Sequence, residues 1–144
     1  MPYKQISAGG VVYRTNGGHL QIQLITDRYG KLSFAKGKRE RGEAVEQTAL
    51  REIREETGII GRIDQLIDII AYTYPHPTCG PVDKEVHYYL VESKGGELRP
   101  QVEEIRSVAW YDPLDAWEKQ QKQGYDNNDF ILEKALKLLG VTGV

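Results

Sequence analysis

A single cysteine, Cys79, excludes an internal disulfide and with it the stapled architectures of small secreted domains. No apolar run approaches the roughly 18 residues that cross a bilayer as a helix, and the first residues lack the basic and apolar regions of a secretory leader. These absences lead to the expectation of a cytoplasmic protein with no membrane partner. Net charge is also scarce: 19 Lys and Arg stand against 21 Asp and Glu, for a formal net charge of -2. A long nucleic acid is therefore not expected as a partner, although a local basic patch can still hold small anions. Repeats, linkers and low-complexity segments are absent. What is present is an ordinary globular composition, 40% hydrophobic and 28% charged. It is expected to fold as one domain over residues 1–144, large enough to bury about two-thirds of its unfolded surface.

The local pattern predicts strands alternating with three helices. Residues 4–14 mix β-branched residues with Gly9 and Gly10, which suggests a strand interrupted where another backbone comes close. Asn16, Gly17 and Gly18 form a turn into the alternating strand 20–26, giving a hairpin. A second turn at 27–31 leads to an extended piece at 32–34. Residues 59–74 read as one or two strands punctuated by Gly61 and Asp64, and Pro75, Pro77, Gly80 and Pro81 read as a loop. Residues 86–91 are β-rich, 94–96 read as a turn and 108–111 as a short strand. Asp112 and Pro113 resemble an N-cap and first position of a helix reaching about Gln123. A last helix begins near 126–128 and ends at Gly140. The expected fold class is α/β, with a mixed sheet between helical layers.

The rest of the chain is organised around 37–59. A charged, glycine-punctuated loop gives way at Glu43 to good helix formers, with no Gly or Pro until Gly58 supplies the stop. At about 100° per residue, Ala49, Leu50, Ile53 and Thr57 form a core-facing side, while Glu52, Glu55 and Glu56 gather on another. Arg51 can reach Glu55 at i,i+4, but the other two acids lack an obvious partner on that face. A solvated acidic face is one reading; a hard divalent cation seeking oxygen ligands is the other.

Gly37, five residues, Glu43, seven residues, then Arg51-Glu52-Ile53-x-Glu55-Glu56-x-Gly58-Ile59 resembles the signature of the Nudix hydrolases at every defined position. At average composition the fixed letters would coincide about once in 10⁸ to 10⁹ starting positions. The resemblance implies an α/β/α sandwich that hydrolyses a nucleoside diphosphate linked to another group. It implies Mg²⁺ or Mn²⁺ held by Glu52, Glu55 and Glu56 and by the backbone carbonyl of Gly37, with Arg51 orienting a metal-binding glutamate. It also implies a further acid before a late strand, where Glu104 is favoured over Glu103. Glu43 stands at the helix start, where capping and catalysis are both open.

Cations crowd the entrance, and Lys36 and Lys84 are the candidates for holding phosphates. Tyr72 and Tyr74 are the candidates for stacking on a nucleobase, and His87 reads as structural. Ser7 to Val12, Phe34 to Lys38 and Lys84 to Leu90 make the chain similar to the bacterial diadenosine polyphosphate hydrolases, with Ala35 where that group usually carries proline. The expected partner is thus a small nucleotide. The alternatives are 8-oxo-dGTP or another nucleoside triphosphate, ADP-ribose, the 5′ end of an RNA, or a domain that senses nucleotides without cleaving them.

Overall fold

The computed structural model describes residues 3–101, 103 and 105–144. Its order is β1 (Tyr3–Asn16), β2 (His19–Asp27), β3 (Leu32–Ser33), β4 (Lys36–Lys38), α1 (Val45–Thr57), β5 (Ile59–His76), β6 (Gly80–Gly96), β7 (Ile105–Tyr111), α2 (Pro113–Gln123) and α3 (Asp129–Leu138). A 3-10 turn, Asp126–Asn128, leads into α3.

One mixed sheet runs β3-β2-β1-β6-β5, with β4 added to β1 and β7 added to β2. Its centre is the parallel pair of β1 and β6, in register from Tyr3 opposite Val82 to Tyr13 opposite Glu92. Side chains alternate across a strand, so neighbours in sequence serve opposite faces. Val11, Leu24, Tyr88 and Leu90 pack with Ala116 of α2 and with Ile131, Leu132 and Leu136 of α3. Val12, Ile25, Tyr89 and Val91 pack with Ala49 and Ile53 of α1. Each face thus carries its own core and its own helical layer, which is the expected α/β/α sandwich.

Several local expectations are corrected. Gly9 and Gly10 do mark close approach, since an added Cβ would lie 1.9 Å from the Ala35 carbonyl oxygen and 2.3 Å from that of Tyr89, respectively. Strand β1 nevertheless passes through them unbroken. The proline segment is not a loop: β5 is one strand ending at His76, and Pro75 pairs opposite Pro81. Opposed residues alternate between pairs that exchange N–H···O bonds and pairs that do not, so two prolines without N–H fit a non-bonded pair. The turn shrinks to residues 77–79, and β6 likewise continues through the expected turn at 94–96. Lys36–Lys38, expected in a loop, is the short strand β4, with Gly37 opposite Ala8.

Candidate active site on the carboxylate helix

Helix α1 begins at Val45 after Ala44, whose N–H donates to the Gln47 side chain at 2.8 Å. It ends at Gly58, in the left-handed region at φ 81, with its N–H donating to the Arg54 carbonyl. This is the helix stop that only glycine adopts without strain. Glu43 lies just before the helix and serves as neither its cap nor an isolated acid. Its carboxylate accepts Arg51 Nε at 2.7 Å and Nη2 at 3.0 Å, the Thr48 hydroxyl at 2.7 Å and the Glu40 N–H at 3.1 Å. The hydrogen bonds from Arg51 lead in bringing the Glu43 carboxyl down to about 2, against an opposing push from burial.

Arg51 is the hub. Besides Glu43, Nη1 donates to Glu52 at 2.8 Å and to Glu55 at 3.2 Å, and Nη2 donates to the Lys38 carbonyl at 3.0 Å. The expectation that only Glu55 among the three acids could reach Arg51 is therefore corrected, because Glu52 shares the same nitrogen. Glu52 lies against Gly37 so closely that an added Cβ would stand 2.2 Å from its carboxyl carbon. A glycine at 37 thus lets a main-chain segment and a carboxylate meet. Burial pushes the Glu52 carboxyl up, and Arg51 only partly offsets it.

The three acids do not share one solvated face. Glu55 is exposed, Glu52 is half-buried and Glu56 is only 7% exposed. Glu56 follows Ala49 by seven residues, two helical turns, so it falls on the core stripe rather than outside it. There it lines a pocket of about 460 Å³ whose floor includes Phe34, Ile70, Val86, Tyr88 and Ile105. Lys36 and Tyr72 line the same pocket. Carboxylates beside a main-chain carbonyl are hard oxygen donors of the type Mg²⁺ or Mn²⁺ takes. In this conformation Arg51 holds Glu52 and Glu55, and among the described residues no three acid or histidine groups already converge on one point.

The remaining candidates divide. Lys84 lies outside the pocket lining, but burial and the nearby charges of Lys36 and Lys38 hold its ammonium below the usual lysine range. Lys36 and Lys38 are thus close enough to repel Lys84, and among the described residues none of the three forms an ion pair. Tyr72 is 45% exposed at the pocket, whereas Tyr74 turns its hydroxyl to Gln5 at 3.1 Å and does not line it. His87 bonds Glu85 at 3.1 Å, as a structural histidine does. Glu104 lies outside the described residues, and Glu103 is exposed. Of the described neighbours, the Gln101 N–H donates to the Glu56 carbonyl at 3.1 Å and the Ile105 N–H to the Gln101 carbonyl at 2.8 Å, so Gln101 is tied to α1.

Arg28 was among the cations expected to crowd the entrance, but sequence reasoning missed its companions at the pocket's outer rim, Asp27 and Tyr29 on one side and Tyr125, Asn127 and Asn128 on the other. No local pattern joins segments so distant in the chain.

The fold and site define an α/β/α domain that sets a carboxylate helix beside a pocket lined in part by Lys36. Residues 3–132 match the NUDIX domain, and the chain belongs to the Nudix family. It is 41% identical over 114 residues to MutT4 of Mycobacterium tuberculosis (strain CDC 1551 / Oshkosh), an alignment covering 74% of this chain and 45% of that protein. It is 29% identical over 141 residues to an 8-oxo-(d)GTP phosphatase of Mycolicibacterium smegmatis, covering 91% of this chain and 41% of that protein. The chain thus spans less than half the length of these curated relatives. Among solved structures, a C. elegans Ap4A hydrolase in a binary complex superposes with a TM-score of 0.71 at 24% identity, over 94% of this chain and 98% of the other. That similarity speaks for the fold.

Proposed function

We propose that this domain hydrolyses a phosphoanhydride bond of a nucleoside polyphosphate with Mg²⁺ or Mn²⁺ as cofactor. The carrying observation is Glu56, a buried carboxylate lining a pocket from the helix on which Arg51 holds Glu52 and Glu55. Glu52, Glu55, Glu56 and the Gly37 carbonyl would hold the cation, which when bound neutralises phosphate oxygens and eases attack by water. Arg51 orients Glu52 and Glu55, and is itself anchored by Glu43. Glu104, one residue before the pocket-lining Ile105, is the proposed acceptor of the attacking water's proton. Lys36 and Lys84 balance phosphate charge, and Tyr72 offers a ring to the base.

Within that class we favour a dinucleoside polyphosphate such as diadenosine tetraphosphate, split asymmetrically into a mononucleotide and the complementary nucleotide. The nearness of Lys84 to Lys36 and Lys38 supports this, because Lys36 lines the pocket and the other two carry positive charge beyond its lining, as a long phosphate chain requires. A single nucleoside triphosphate with an altered base is the second reading. It draws on the M. smegmatis relative's name and on the confinement of Glu56, Lys36 and Tyr72 to a single pocket of about 460 Å³. The test compares kcat/KM for diadenosine tetraphosphate, 8-oxo-dGTP and ADP-ribose in Mg²⁺. Preference for the first supports the favoured substrate, and preference for either of the others removes it while leaving the chemistry. No turnover of any nucleotide with either metal would defeat the hydrolase reading and leave nucleotide sensing.

A further inference from the structure

The pocket's outer mouth is built from two lips 98 residues apart in the chain, one at the end of β2 and one between α2 and α3. Each lip is locked internally. In the first, the Asp27 carboxylate accepts the N–H groups of Tyr29 at 2.9 Å and Lys31 at 3.0 Å, closing the turn that presents Tyr29. A register shift between Thr26 and Asp27 in the pairing of β2 with β7 marks where the strand gives way to this turn. In the second, the fully buried Gln120 amide donates to the Tyr125 carbonyl at 3.0 Å. Gln120 packs under Gly124, where an added Cβ would stand 2.0 Å from the amide nitrogen. The lips meet where the Tyr125 hydroxyl donates to the other Asp27 oxygen, with Lys31 Nζ 5.2 Å over the Tyr125 ring. Burial pushes the Asp27 carboxyl up, but these hydrogen bonds outweigh it and hold the group below the usual carboxylate range.

We propose that the Tyr125–Asp27 hydrogen bond is a clasp that fixes the width of the pocket mouth, making Tyr125 a positioning residue for the nucleoside half of the substrate. The inference rests on the nucleotide reading above. The phosphate half is carried by different elements, since Lys36 is on β4 and the acids are on α1. Losing the clasp therefore loosens nucleoside binding and leaves the recognition of bare phosphate in place. A purine nucleotide and inorganic pyrophosphate separate the two halves as ligands, because only the first carries a nucleoside.

The experiment measures Tyr125→Phe, which removes one hydroxyl. The steady-state constants are determined for the best nucleotide substrate in Mg²⁺, and the affinities for ADP and for inorganic pyrophosphate by calorimetry. The clasp predicts a rise in KM and in the ADP Kd of about tenfold, the equivalent of one hydrogen bond. It also predicts kcat within about twofold and an unmoved pyrophosphate Kd. If Tyr125→Phe does not fold, Asp27→Ser takes its place, since a serine hydroxyl can still cap the turn but has no second polar atom for the Tyr125 hydroxyl. An unchanged KM and ADP Kd overturn the clasp, as does equal weakening of ADP and pyrophosphate, which signals general loosening. Wild-type protein that binds and cleaves no nucleotide overturns the functional reading itself, an outcome distinct from a wild-type enzyme indifferent to Tyr125→Phe.

Discussion

Glu43→Gln is the substitution that separates an organising carboxylate from a surface one. Gln retains the shape and one acceptor oxygen, but it loses the charge and the second oxygen that together hold Arg51 Nε and Nη2. The carboxyl's drop from an ordinary 4.5 to about 2 corresponds to at most about 3.5 kcal/mol. Solvent at this rim screens the pair, which brings the expected loss to about 1–2 kcal/mol, or about 3–8 °C in melting temperature for a chain of this size. Because the folded value is depressed, the stabilisation is complete above about pH 4.5 and is lost as pH falls toward 2. Urea denaturation of both proteins at pH 7 and pH 3 reads this directly. The gap between them should narrow by about half or more at pH 3. Equal stability at pH 7, or a gap independent of pH, would refute the Arg51 anchor.

Two further pairs of substitutions address binding and proton transfer. Tyr72→Ala should raise the nucleotide KM by roughly 5- to 100-fold, as the loss of a base-stacking ring does, and Tyr74→Ala should do far less because its ring lies outside the pocket lining. The reverse order in steady-state kinetics would move the base to Tyr74. Glu104→Gln should lower kcat with KM largely kept, while Glu103→Gln changes neither appreciably. Full activity in both would transfer the proton acceptor to another group.

The helix and its stop were legible because they depend on residues within a turn or two of each other. Good helix formers run to Gly58, and Ala49, Ile53 and Thr57 are buried as their spacing requires. Glu56 was misjudged by grouping acids with acids, although its seven-residue spacing from Ala49 already assigned it to the core stripe. The β5–β6 hairpin was shortened because proline was read as a breaker, whereas two opposed prolines can share a non-bonded pair. Lys36 and Tyr72 line the pocket, while Tyr74 and Lys84 lie outside its lining, a division that depends on tertiary placement no local pattern encodes. The Asp27 and Tyr125 lips depend on tertiary closure alone, so no periodicity could have announced them.

The most direct test of the central claim is nucleotide turnover by Glu56→Gln beside the wild type, at saturating Mg²⁺ and again in Mn²⁺. If the carboxylates of α1 hold the catalytic cation, removing this charge lowers kcat by at least about 10²-fold with the far-UV circular dichroism unchanged. A folded Glu56→Gln protein turning over at nearly the wild-type rate would contradict the account.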